Sequence, residues 1–379
     1  DKSKLKGDPS IIKSELEFLR KTDHPNIIQF YEVYQDRSYV HYVLEYCEGG
    51  DLAELIKKQK RLNEEGAKRI IFQILQALSY LHFQGIAHRD VKLDNFLLCN
   101  EKGGIEADVT ILHLNDERLW LITGSGFGIR DSHWVRKHLA DGITLTDITN
   151  RYATINLCGP HARDVLQSVT DDDVSNQAFP FLTARQVEVG DATALAVRVG
   201  YVGELGWELY IPQEFASHVY DTLREAGEPF GIADVGYRAI DTCRMEKGYL
   251  YWSGDITPDY NPYEAGLGFA VALNKDDFIG RAALEKIKAE GVKRKLCSFT
   301  IEGFAPLHGG EAILHKGKVV GSTSSTGYGY TLGKTIAFGY LPTELANETG
   351  FEIEAFGRAY AALRGPRVLY DAKMERLKA

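Results

Sequence analysis

No stretch of this chain of 379 residues approaches the run of about 20 apolar residues that a membrane-spanning helix needs, so none is expected. Positive charge is not in excess either. Lys and Arg total 44 against 53 Asp and Glu, and the resulting net charge of -9 argues against a nucleic-acid partner. Cysteine is sparse and scattered: Cys47, Cys99, Cys158, Cys243 and Cys297 include no C-x-x-C pair. That excludes a disulfide framework and leaves no metal site to expect; the thiols suit a reducing compartment, cytoplasm or mitochondrial matrix. There is no internal repeat and no low-complexity tract. The chain opens at Asp1 in a Lys-rich polar stretch without the pattern of a signal peptide, as a fragment or processed product would.

What remains is ordinary globular composition, 44% hydrophobic and 26% charged. A chain of this length is expected to hold two or three domains. The first hundred residues predict a helix over Ile11 to Lys21, ended by Asp23-His24-Pro25. A hairpin follows from Ile27–Tyr34 and Tyr39–Tyr46, then a short helix after Asp51 and a long one from Asn63 to Gln84. Beyond Gly103-Gly104 strands alternate with helices. Strands are expected at Val109–Leu114, Leu119–Thr123, Tyr152–Leu157, Gln186–Val189 and Ala194–Val199. Helices are expected at Ser132–Ala140, His161–Val169, Gln213–Ala226 and Asp277–Gly291. From Lys293 onward the chain is β-rich and punctuated by Gly, which suits a small barrel or sandwich.

His88-Arg89-Asp90-Val91-Lys92-Leu93-Asp94-Asn95 has the form H-R-D-x-K-x-x-N, and this segment resembles the catalytic loop of protein kinases. The resemblance extends backwards. Asp23-His24-Pro25-Asn26-Ile27-Ile28 is similar to the turn after the αC helix, Glu15 falls where that helix carries its ion-pairing glutamate, and Leu44 to Leu52 is similar to the adenine-binding hinge. The resemblance implies Asp90 as base, Lys92 beside the transferring phosphate and Asn95 on magnesium. Phosphoryl transfer needs further parts that are missing. No Gly-rich loop or strand lysine precedes Glu15, and no D-F-G or A-P-E follows Asn95. The segment is therefore expected to be catalytically silent.

Residues after Leu98 resemble a different family. Gly103-Gly104-Ile105-Glu106-Ala107-Asp108 is similar to the G-G-x-x-x-D motif of the aminomethyltransferases. Arg198-Val199-Gly200-Tyr201-Val202-Gly203-Glu204-Leu205-Gly206-Trp207-Glu208 is similar to their R-x-x-Y-x-G-E-x-G-x-E signature. The resemblance implies that Asp108 contacts the reacting end of tetrahydrofolate, where a carboxylate can orient a nitrogen and take its proton. It implies that Glu204 accepts paired hydrogen bonds from the pterin and that Tyr201 lines the slot. Taken as a bare motif, Asp108 reads more readily as a turn residue, and Tyr201 and Trp207 could equally be plain core. A third stretch, Gly236 to Tyr249 running on into Trp252-Ser253-Gly254-Asp255, resembles the dimethylglycine and sarcosine dehydrogenase branch of the same family. Aminomethyltransferases carry an arginine roughly where Ile240 stands, whereas this helix retains Arg244. Arg244 then has two readings, a folate contact or a salt bridge with Asp241, Glu246 or Glu264. Gly309-Gly310-Glu311, Gly321 to Gly329 and Ala337 to Pro342 are similar to the family's terminal β-barrel.

Together these resemblances imply an α+β fold: an aminomethyltransferase-like folate-binding module at 99–292, N-terminally incomplete, and a C-terminal β-barrel at 293–379. An incomplete protein-kinase-like segment precedes them at 1–98. A join falling inside both domains is what a mispredicted or artificial fusion would show. The implied chemistry is one-carbon transfer to tetrahydrofolate, with reduced folate as the partner molecule. No G-x-G-x-x-G strand-turn-helix is present, so no FAD domain is expected in this chain and amine oxidation would fall to a separate FAD-dependent dehydrogenase domain or subunit. The rivals are a folate-binding or regulatory module without turnover and an inactive pseudokinase-type nucleotide binder.

Overall fold

The structure, a computed structural model, describes residues 28–36, 40–45, 93–115, 117–275 and 277–379. The helices expected at 11–21, after Asp51 and at 63–84 lie outside the described residues, as do Glu15, the His24-Pro25 turn, most of the hinge-like run, Asp90 and Lys92. The chain divides into two units, 1–90 and 91–379. In the first, β1 (Phe30–Gln35) and β2 (Val40–Leu44) form the expected antiparallel hairpin, with Phe30 opposite Leu44 and Gln35 opposite Val40.

The second unit begins with β3 (Leu93–Cys99), β4 (Ile105–Asn115) and β5 (Arg118–Ile122), an antiparallel sheet in that order. The boundary expected near residue 98 thus falls inside a strand: β3 pairs with β4 from Leu93 opposite Leu112 to Cys99 opposite Ile105. In β4 the alternation of a pleated strand buries Ile105, Ala107 and Val109 and turns Glu106, Asp108 and Thr110 to the other face. The strand enters at Gly104 because nothing larger fits: a Cβ there would stand 2.0 Å from the Pro258 carbonyl oxygen.

A second sheet, in the order β6-β9-β8-β7, is built from β6 (Tyr152–Cys158), β7 (Ala184–Val189), β8 (Ala192–Val197) and β9 (Gly206–Pro212). Four helices accompany the sheets: α1 (Gly128–Lys137), α2 (Ala162–Ser168), α3 (Ala216–Gly227) and α4 (Tyr237–Lys247). Val165 and Leu166 of α2 and Val219 and Leu223 of α3 share one core with Trp207, Leu209 and Ile211 of β9. This settles Trp207 as a core residue, 1% exposed. Helix α5 (Arg281–Glu290) leads into a closed barrel of β10 (Arg294–Glu302), β11 (Ala312–His315), β12 (Lys318–Gly329), β13 (Lys334–Pro342), β14 (Phe351–Ala355) and β15 (Arg358–Gly365). Of the two forms expected here the barrel is realised, filled by Phe299, Ile301, Ile313, Phe351 and Ile353. Among the described residues no helix is long and apolar enough to cross a membrane.

Helix α4 joins the parts. It packs on β12, and it stops at Gly248, which takes the left-handed conformation (φ 75°) that only glycine adopts cheaply. A Cβ there would also lie 2.6 Å from the Arg367 carbonyl oxygen. Gly248→Ala is therefore expected to destabilise the fold by about 1–3 kcal/mol, combining backbone strain with a clash, read as a lower urea midpoint at unchanged slope.

Candidate functional site

The site grows from the C-terminal half of α4. Arg244 is 2% exposed, and each nitrogen of its guanidinium meets a protein acceptor. Nε donates to Asp241 Oδ1 at 2.7 Å, Nη1 to Asp255 Oδ2 at 2.7 Å and to the Tyr249 carbonyl at 3.1 Å, and Nη2 to Ser325 Oγ at 2.7 Å. Of the two readings open for Arg244, this geometry supplies the salt bridge, with Asp241 as one partner and Asp255 as the second. Asp255 is fully buried; besides Arg244 it accepts the backbone N–H of Tyr251 at 3.0 Å and of Ser325 at 3.1 Å and the Ser324 hydroxyl at 2.6 Å.

The Tyr249 carbonyl, just past α4, is thereby held. The Leu250 carbonyl accepts the Tyr201 hydroxyl at 2.8 Å, and the Tyr201 and Tyr249 rings stack at 5.7 Å with 11° between their planes. Tyr201 keeps 36% of its surface exposed, so one flat aromatic wall stays open. Crowding raises its phenol above the ordinary value, and the charges felt there are those of Arg244, Asp255, Asp108 and Asp241. The Asp108 charge, on β4, is thus among those that act on Tyr201.

Asp108 is open to solvent on the face of β4 opposite the core, yet protein atoms surround it closely enough to push its carboxyl up to about 6. Asp108 is thus a carboxyl that solvent can reach and that nearby protein atoms partly desolvate. Next to it on the same strand face, Glu106 is held by Arg130 and by Asn100 Nδ2 at 2.9 Å, and the Arg130 guanidinium lies over the Trp252 ring at 4.3 Å.

Glu204 sits on the loop between β8 and β9, three residues beyond Tyr201, with its side chain 21% exposed. Its carboxylate accepts the Tyr370 hydroxyl, and Arg376 Nη1 lies 3.4 Å from Oε1 and 3.5 Å from Oε2. Its charge, after burial, also raises the thiol of Cys158, the last residue of β6. Tyr201 and Arg244 are therefore brought together at the end of α4, Glu204 lies three residues on in the Tyr201 loop, and Asp108 is linked to them through its charge on Tyr201. Asn95 lies in β3 opposite Thr110, paired into the sheet of Asp108.

The arrangement suits a flat, hydrogen-bonding heterocycle: a partly open carboxylate for paired N–H donors, an aromatic wall, and a second carboxyl with a pKa near neutrality. Asp255, Tyr249, Tyr370 and Arg376 escaped the sequence reading. Asp255 and Tyr249 stand inside a quoted motif stretch without a visible role. Tyr370 is 166 positions from Glu204, a separation at which no spacing rule operates.

Residues 73–275 match the GCVT N-terminal domain and residues 294–371 the Glycine cleavage T-protein C-terminal barrel domain. Residues 1–112 match the Protein kinase domain, so 73–112 fall within both kinds of match. Mitochondrial dimethylglycine dehydrogenase of Mus musculus is 38% identical over 287 residues, covering 73% of this chain and 33% of that protein. The chain thus spans about a third of that relative's length. Aminomethyltransferase of Shouchella clausii is 34% identical over 267 residues, covering 70% of this chain and 72% of that enzyme. The crystal structure of the glycine cleavage system aminomethyltransferase T from Bartonella henselae superposes with a TM-score of 0.66 over 78% of this chain and 82% of that one; at 24% identity it shows the shared fold.

The raised pKa of Asp108 has a stability consequence. Its folded value of about 6 exceeds the ordinary carboxyl value, so the stabilising proton is fully bound below about pH 4 and is lost as pH rises through about 6. Above that the ionised carboxyl works against folding. Asp108→Asn, a neutral isostere, is expected to stabilise the chain at pH 7.5 by about 1 kcal/mol, allowing for solvent that reaches the group, and by nothing at pH 4. Denaturant titrations of both proteins at the two pH values check this.

Proposed function

The chain belongs to the glycine-cleavage T-protein (aminomethyltransferase) family, and from that premise we propose that residues 99–379 form a tetrahydrofolate-dependent one-carbon-transfer module. Bound tetrahydrofolate would supply nucleophilic nitrogens that take up a carbon at the oxidation level of formaldehyde. The chain's own residues bind, orient and handle the proton. Glu204 accepts two N–H groups of the pterin, a pairing that a carboxylate matches and an amide does not. Tyr201, propped by Tyr249, packs along the ring. Arg244 acts at a distance, through the Tyr249 carbonyl and Asp255, and positions that stack. Asp108 receives the proton released at the reacting nitrogen and stabilises positive charge that develops there. The observation that carries the reading is Asp108 itself: solvent-reachable, in the site of Tyr201, with a carboxyl pushed up to about 6 and hence poised to take and return a proton near neutral pH.

The carbon donor follows from the relatives. The mouse protein is named as a dehydrogenase of dimethylglycine, and this chain corresponds to about a third of it. An iminium delivered by a separate flavoprotein domain or subunit is the donor we propose. A reducing compartment, cytoplasm or mitochondrial matrix, agrees with the free thiols of Cys99, Cys158, Cys243 and Cys297. The kinase-like residues 1–98 contribute no chemistry to this reading. One observation favours the rival, a folate-family module without turnover: the Glu204 carboxylate already has two donors from the end of the chain.

Calorimetric titration of the whole chain with folinic acid, a stable reduced folate, is expected to show saturable binding. Glu204→Gln should weaken it by about 2–4 kcal/mol, the cost of breaking a desolvated charge-assisted pair. Asp108→Asn should bind comparably and incorporate formaldehyde into tetrahydrofolate about 100-fold more slowly. Absence of heat from a chain shown to be folded by circular dichroism would overturn the proposal.

A further inference from the structure

The segment after the last barrel strand returns to the Glu204 loop and is fastened there at several points. Backbone N–H groups of Leu369 and Tyr370 donate to the Glu246 carbonyl near the end of α4, at 3.0 and 2.9 Å. Lys247 Nζ donates to the Asp371 carbonyl at 2.6 Å and to its Oδ2 at 2.9 Å, with both side chains buried at 3% and 5% exposure. Asp371 Oδ1 then accepts the backbone N–H of Glu375 at 2.7 Å and of Arg376 at 3.2 Å, closing the chain into a turn. Leu377, 2% exposed, is tucked against the backbone at Gly200. Tyr370 is thus gripped from both sides, and its hydroxyl meets Glu204 Oε1.

We infer that Tyr370 is a positioning residue of the pterin site, orienting the Glu204 carboxylate for its ligand. The inference rests on Glu204 being the pterin anchor. A carboxylate offers two lone pairs on each oxygen. The Tyr370 hydroxyl occupies one of those on Oε1 and leaves both oxygens able to accept a parallel pair of N–H groups. Burial and the Glu204 charge push the Tyr370 phenol up to about 12, so at neutral pH it is a donor. Arg376 is a different kind of contact. Its Nη1 is nearly equidistant from the two oxygens, which places it across the face a paired ligand would use, and its side chain is 56% exposed. A long, solvent-screened pair of that kind is displaced at little cost. The Tyr370 hydroxyl orients the anchor, and the Arg376 guanidinium, which lies over the Tyr370 ring at 5.5 Å, yields its place at the carboxylate to the ligand.

The test is a double-mutant cycle on folinic acid affinity in the whole chain, using Tyr370→Phe, Glu204→Gln and the pair, with each variant's melting recorded. Tyr370→Phe removes one hydroxyl and keeps the ring in place. Alone it is expected to weaken binding about tenfold, the worth of a hydrogen bond to a charged acceptor. In the Glu204→Gln background it should do much less, because the charge it orients is gone. An equal loss in both backgrounds would mean that Tyr370 supports the fold generally, and would overturn the proposal. Unchanged or tighter binding in Tyr370→Phe would overturn it too, tighter binding marking the hydroxyl as a competitor. If Glu204→Gln costs affinity and Tyr370→Phe does not, only the positioning role falls. If Glu204→Gln itself binds as well as the unaltered chain, the anchor reading fails and this role goes with it.

Discussion

The buried pair of Arg244 and Asp255 is the interaction on which the rest of the folate module's geometry depends. Removing two opposite charges from water costs several kcal/mol each, and their mutual attraction offsets that only when the remaining donors and acceptors are met. Here they are. The guanidinium reaches Asp241, Asp255, Ser325 and the Tyr249 carbonyl; the carboxylate takes two backbone N–H groups and two serine hydroxyls in return. These groups belong to α4, to the turn at 251–256 and to β12 of the barrel, so satisfying one ion pair fixes three parts of the chain at once. The Tyr340 hydroxyl adds a fourth, donating to the Asp255 carbonyl at 2.8 Å from β13.

What this framework positions is a site held out of electrostatic balance. Asp108 has no cation partner among the described residues, and desolvation by the surrounding protein raises its carboxyl. Glu204, by contrast, is supplied with two donors. The two carboxylates therefore occupy opposite environments, one short of stabilising partners and one provided with them, a difference that agrees with the proton-handling and anchoring roles proposed for them. Lys247 and Asp371, buried and mutually satisfied, stand just beyond and fasten the segment that brings Tyr370 to Glu204.

Much of this was legible in the residues. The strand expected at Val109–Leu114 is found, but β4 begins at Ile105, so that Asp108 is a strand residue on the face away from Ile105 rather than a turn residue. The helices expected at 161–169 and 213–226 are found, the first a residue shorter at each end and the second starting at Ala216 after a tighter turn at Gln213–Phe215 and running one residue further to Gly227. The domain join was harder. Leu93 to Asn95 read as the end of a kinase-like loop and Leu98 to Lys102 as the lead into Gly103-Gly104, yet the whole run Leu93–Cys99 pairs along β4 as one strand. Trp207 and Tyr201 show the other boundary of sequence reading. Six positions apart in one motif, one is buried in the sheet core and the other keeps 36% of its surface exposed.

The sequence by itself determined the elements that depend on neighbours along the chain: strand faces from a period of two, helix ends from glycine and proline, and short motifs that carry Asp108, Tyr201 and Glu204. Tertiary structure alone decided whether Arg244 faces a ligand or a buried aspartate, how far the Asp108 carboxyl is raised, and that Tyr370 meets Glu204 from 166 positions away. The physical reason is common to all three. Desolvation and hydrogen-bond partnership depend on every atom packed around a group, and those atoms come from segments whose meeting leaves no trace in local spacing.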